Sequence, residues 1–103
     1  MSKLPKQIHY MSQTYTIRKG DVIRNEKGNK CMGNIMNKTN EIRLRHSLKG
    51  DVLRGTLLHE IIHLIFGLYS DADEHTIEHV TNGILEVLRR NKGLAEYLME
   101  EHD

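Results

Sequence analysis

The chain has one cysteine (Cys31), one proline (Pro5), no tryptophan, and no apolar run longer than three residues. Each shortage excludes something. A lone cysteine has no partner for an internal disulfide, so a hydrophobic core must hold the fold, and a reducing cytoplasm is the expected compartment. The longest apolar runs fall far short of the ~20 residues needed to span a bilayer. Met1-Ser2-Lys3-Leu4-Pro5-Lys6 carries no apolar segment of the signal-peptide kind. A soluble protein without a membrane partner is expected. Its 103 residues are enough for one domain, residues 1–103, and too few for a second core. Internal repeats, low-complexity segments and linkers are also missing.

The charge is +1 overall and strongly divided along the chain. Residues 1–50 carry eleven Lys and Arg against Asp21, Glu26 and Glu41, whereas residues 51–103 carry four bases against eleven acids. A basic half can contact nucleic acid or an acidic protein. Here the bases are scattered and not interleaved with aromatics, as a nucleic-acid surface usually requires. Attraction between the two halves is the expected use of the split, and nucleic acid is not the expected partner.

The first half reads as a sheet region, residues 1–50. Ile8-His9-Tyr10 and Thr14-Tyr15-Thr16-Ile17 predict a short strand or hairpin within residues 6–23, rich in β-branched and aromatic residues. Asn25-Glu26-Lys27-Gly28-Asn29 has turn chemistry, and Cys31 to Met36 predicts a second strand. After a further turn at Asn37-Lys38-Thr39-Asn40, the alternation in Glu41-Ile42-Arg43-Leu44-Arg45 predicts a half-buried strand.

The second half, residues 51–103, reads as helical. Asp51 offers an N-cap, and the many apolar residues from Val52 to Ile65 cover more than one face, which predicts a central helix closed by a left-handed Gly67. Ser70, Asp71 or Asp73 can cap the next helix, where Ile77, Val80, Thr81, Ile84, Val87 and Leu88 recur at amphipathic spacing. Gly93 ends it near Arg90 or Asn91, and Leu94 to Met99 predicts a short last helix. The expected fold is α+β, a small mainly antiparallel sheet of about three strands followed by three helices.

Within the central helix stands His59-Glu60-Ile61-Ile62-His63. Helical residues advance by about 100° each, so His59 and His63 lie one turn apart on one face and can share a metal ion. Glu60 stands one step round, where its carboxylate can take a proton from a water on that metal. This is the His-Glu-x-x-His zincin arrangement, with Zn²⁺ as the expected cofactor and Glu60 as general base. Two histidines and a glutamate among large apolar neighbours would otherwise be polar groups with nothing to bind. Gly55, one turn before His59, weakens the helix by ~1 kcal/mol relative to Ala, a cost that suits close approach of a ligand or backbone.

Catalytic zinc usually has three protein ligands and one open position. Phe66 and Tyr69 occupy the places at which a metzincin would have its glycine and third ligand. Glu74, His75, Glu78 and His79 on the following helix remain. Antiparallel helices joined by a short turn return Glu78 to the level of the histidines, at the edge of the buried face, while His75 and His79 point to the back and Glu74 lies nearer the turn. Glu78 is favoured, with the other three open.

Thr56-Leu57-Leu58-His59-Glu60-Ile61-Ile62-His63, followed by Glu78-His79-Val80 and residues 83–91, resembles the small zincin-like metallopeptidases of bacteriophages and prophage-bearing bacteria, distantly similar to the ImmA/IrrE gluzincin group. The likeness extends upstream to Met32-Gly33-Asn34-Ile35 and Glu41-Ile42-Arg43-Leu44. It implies a minimal zincin-like domain in the bacterial host cytoplasm, zinc held by His59, His63 and Glu78, Glu60 as catalytic base, and a protein or peptide substrate. A zinc-binding interaction module that cuts nothing is the alternative. An extended substrate can add as a strand beside Cys31 to Met36 or Glu41 to Arg45; Tyr69, His75 and His79 are the available oxyanion stabilisers.

Overall fold

The computed structural model describes residues 3–24, 27–67 and 73–101. Strands β1 (Gln7–Tyr10) and β2 (Gln13–Gly20) form the expected hairpin, followed by β3 (Ile23–Arg24), β4 (Lys30–Cys31), β5 (Gly33–Met36) and β6 (Glu41–Arg45). Helices α1 (Gly50–Phe66), α2 (Glu74–Arg90) and α3 (Leu94–Met99) complete the chain. The fold is α+β, as the sequence predicts.

The sheet is larger and less regular than expected. Four strands pair in the order β1-β2-β6-β5. The outer pairs β1/β2 and β5/β6 are antiparallel, but the central pair β2/β6 is parallel, with Ile17 opposite Ile42. The sheet thus has one strand more than expected and is mixed, antiparallel in its two outer pairs as expected and parallel at its centre. The predicted strand from Cys31 to Met36 breaks at Met32, because β4 pairs with β3 in a separate two-stranded ribbon while β5 pairs with β6.

Alternation in β6 does what a period of two dictates. Ile42 and Leu44 are fully buried on the helix side, and Glu41 on the other face binds Arg43 at 2.9 Å and also Arg18. Arg43 first, then the Thr39 hydroxyl and Arg18, hold the Glu41 carboxyl below its ordinary range. Both arginines lie in the basic half, as Asp51, Arg54 and Arg89 all lie in the acidic half.

Leu53, Leu57 and Leu64 of α1 pack on the core of Tyr15, Ile42 and Leu44. The helix is less central than its composition predicts, since Val52, Ile65 and Phe66 are exposed. The sheet covers one side and α2 another, and among the described residues no further layer covers the rest. Its N-cap also differs. Lys49 takes that place without a side-chain bond, and Asp51 stands in the first turn, bonded to Arg54 at 3.1 Å and to Arg89 of α2 at 3.3 Å. Gly67 closes α1 with φ of +80° as expected, although its ψ of 172° is extended and not left-handed helical. Asp73 caps α2 by accepting a hydrogen bond from the Thr76 amide at 2.8 Å, and that bond holds its carboxyl below the ordinary range. The alternatives Ser70 and Asp71 lie outside the described residues.

One glycine is fixed by close approach. A Cβ on Gly33 would stand 3.0 Å from the Arg43 carbonyl, 3.1 Å from Leu44 and 3.2 Å from Thr56, so only glycine lets α1 settle against β5. Gly33→Ala is expected to destabilise the fold by about 1–3 kcal/mol, measured by urea unfolding. Gly55→Ala is the contrast: its Cβ would meet only Leu85, at 4.0 Å, and the substitution should stabilise.

Candidate metal centre

His59 and His63 stand as the spacing predicts, on one face of α1, with ring centroids 4.9 Å apart. The residue brought to them is Glu74, the first of α2. Its Oε2 lies 2.9 Å from His59 Nε2 and its Oε1 2.6 Å from His63 Nε2. Ligand atoms of these three residues all fall within 4.8 Å of one another, the one such group of metal-binding side chains found among the described residues. Glu78, favoured from the sequence, is not part of it. Glu78 is exposed and lines the same cleft further along α2. The difference has a geometric cause. Rise per residue sets the level along a helix, but the crossing of two helices depends on how their ridges pack, and here the first turn of α2 lies over the histidine pair. His75 and His79 are exposed and outside the group, and His79 lines an apolar groove between α2 and α3. Tyr69 lies outside the described residues.

Two histidines and a carboxylate are a known donor set for a catalytic zinc. Donors around a tetrahedral zinc with bonds of ~2.0–2.1 Å stand roughly 3.3 Å apart, so taking up an ion requires the direct Nε2 to oxygen contacts to open by about 0.4 Å at His59 and about 0.7 Å at His63. Glu74 can give that freely, because its side chain is 74% exposed. His59 and His63 are anchored more firmly, at 21% and 30%.

Glu60 is different in kind. It follows Leu53 and Leu57 on the side of α1 that meets the sheet, and only 7% of it is exposed. Among the described residues nothing hydrogen-bonds its carboxyl, which lines the cleft beside the histidines. Burial, and secondarily the negative Glu74, push its pKa up to about 7. Such a group exchanges a proton near neutrality, as a general base must.

This has a consequence for stability. A carboxyl bound to its proton more tightly when folded than when unfolded makes stability fall as pH rises. For metal-free protein the fall runs from about 4.5, the ordinary value, to about 7, and totals about 3 kcal/mol. Urea denaturation at intervals across that window should show it, and Glu60→Gln should remove most of the slope.

Cys31 lies nearby but is no member of the donor group. It is half-buried, its thiol donates to the Ile23 carbonyl at 3.6 Å, and burial and then Glu60 raise its pKa. No local pattern marks β5 as an edge strand and β6 as interior, an order that leaves β5 and removes β6 as a place where an extended chain can add. The cleft runs from the histidines, between β5 and the two helices, to Asp51 and Arg89 at the far end. No helix among the described residues is long and apolar enough to cross a membrane. Comparison with protein-family models, curated proteins and solved structures finds no match.

Proposed function

We propose that the chain is a zinc-dependent peptidase in which His59, His63 and Glu74 hold the metal and Glu60 is the general base. The observation that carries this reading is Glu60, a residue only 7% exposed whose carboxyl has no hydrogen-bond partner among the described residues, lines the cleft, and stands on the same helix beside a convergent His, His and Glu set. A structural metal site needs no such group. The resemblance of residues 56–63 to small phage and prophage zincins supports the same chemistry. Zinc bound there would supply Lewis acidity, polarising a carbonyl and lowering the pKa of a water towards ~7.

The chain's own contribution follows from its geometry. The two histidines, on successive turns of a rigid helix, fix the direction of approach. Glu60 accepts a proton from the attacking water at its carboxylate oxygen and can pass it to the leaving amine. Leu53, Leu57 and the sheet beneath keep that carboxyl in a low-dielectric setting, where it neither stays fully ionised nor loses its basicity. The free edge of β5 offers backbone groups to an extended peptide, aligning it along the cleft.

A non-catalytic zinc-binding interaction module is the second reading, favoured by the exposure of Glu74. Zinc stoichiometry together with hydrolysis by the wild type and by Glu60→Gln decides between them. Equal metal with lost hydrolysis supports the peptidase; equal metal and no hydrolysis by the wild type supports the module.

A further inference from the structure

The strand wall of the cleft is charged in one sense. Among its described residues stand Lys27, Lys30 and Arg45, and no acid. Arg45 is half-buried at the end of β6, and its guanidinium donates to the Cys31 carbonyl at 3.0 Å. It has five N–H donors in a fixed fork and no carboxylate partner among the described residues. The Lys30 side chain, exposed beside it, likewise has no ion-pair partner among them.

The opposite wall carries Asp51, Glu60, Glu74 and Glu78, and among the described residues none of them forms an ion pair with Arg45 or Lys30. Asp51 is engaged by Arg54 and Arg89, and Glu74 by the two histidines. Cys31, whose carbonyl Arg45 holds, lines the same cleft as His59, Glu60 and His63. Arg45 therefore lines the cleft into which the histidine pair opens. A half-buried arginine fork with unused donors is suited to a planar carboxylate.

We propose that Arg45 and Lys30 form a carboxylate-recognition site in the strand wall of the cleft, receiving an anionic group of a bound polypeptide. The group is either an Asp or Glu side chain or the terminal carboxylate, which share one chemistry. Phosphates of a nucleic acid carry the same sign, but among its described residues this wall has no aromatic side chain on which a base can stack. The proposal deepens the peptidase reading and rests on it for the peptide, though its test does not need turnover.

The test uses the full chain, both as metal-free wild type and as zinc-supplied Glu60→Gln, with fluorescent peptides on one neutral scaffold. One peptide is amidated and uncharged, one has a free C-terminal carboxylate, and one is amidated with a single internal Glu. At about 50 mM salt, one or both of the carboxylate peptides should bind at least about tenfold tighter than the neutral one. Which of them does so identifies the source. Arg45→Met should remove the preference, Arg45→Lys restore it in part, and Lys30→Gln weaken it with an unchanged melting curve. Since Arg45 also holds the Cys31 carbonyl, the pair Lys30→Glu and Arg45→Glu supplies a readout that misfolding cannot mimic: preference for a Lys-bearing peptide.

Equal affinity for all three peptides, binding of none, a preference that survives Arg45→Met, or tighter binding of a DNA oligonucleotide overturns the proposal. If metal uptake or hydrolysis fails while the carboxylate preference holds, the peptidase reading falls and this site stands. If peptides are cleaved without regard to charge, the site falls alone.

Discussion

Glu60→Gln is expected to cut peptide hydrolysis by about 100-fold to 10,000-fold while the protein still takes up about one zinc per chain. The substitution keeps size and leaves His59, His63 and Glu74 untouched, but an amide has no basic oxygen for the proton. Because Glu60 is buried without a hydrogen-bond partner among the described residues, the neutral amide should also make the metal-free protein more stable above pH 7. Loss of hydrolysis thus coincides with gained stability, a combination that rules out misfolding as its cause. Metal content by atomic absorption, hydrolysis of a quenched peptide, and melting curves on the same samples read all three. Unchanged hydrolysis in Glu60→Gln would falsify the assignment of the general base. A wild type that, supplied with zinc after purification without chelator, binds none would remove the metal site altogether.

The second large effect separates the candidate ligands. Removing an outer partner of a metal ligand typically costs 10–100-fold in affinity, and a direct ligand costs more. Glu74→Ala should therefore weaken zinc binding by at least about 100-fold, in competition with a chromophoric chelator. His59→Ala and His63→Ala should do the same. Glu78→Ala should change affinity by no more than about threefold, the scale of a nearby exposed charge. Zinc should raise the melting temperature of the wild type and of Glu78→Ala, since binding to the folded state alone stabilises it, and should leave that of Glu74→Ala unmoved. The opposite pattern would return the third place to Glu78 and mean that α2 shifts against α1 when the ion enters.

The elements themselves were largely legible. Residues 41–45 state their strand by alternation, and the buried Ile42 and Leu44 follow from it. Residues 74–90 state an amphipathic helix, although its burial is divided: Ile77 and Thr81 are buried, while Val80, Ile84 and Leu88 line the groove towards α3. What the pattern of a strand does not carry is its neighbour or its direction. Nothing in Thr14 to Ile17 distinguishes a parallel from an antiparallel partner, since side chains alternate identically in both. The break at Met32 and the demotion of Asp51 from cap to first-turn residue are similar cases. Each depends on which groups lie across from the segment.

The sequence by itself determined the relation between His59, Glu60 and His63. Those residues share one helix, and the rotation of about 100° per residue sets their directions whatever surrounds them. Tertiary structure decided the rest of the site. Which acid of α2 meets the histidines depends on the crossing of two helices, fixed by side-chain packing and not by counting residues. The burial that raises Glu60 to about 7 comes from the fit of α1 on the sheet, which Gly33 permits by having no Cβ. The edge position of β5 in its sheet and the Arg45 fork, which has no carboxylate partner among the described residues, come from the order in which four strands pair, a property of long-range contacts that no local pattern encodes.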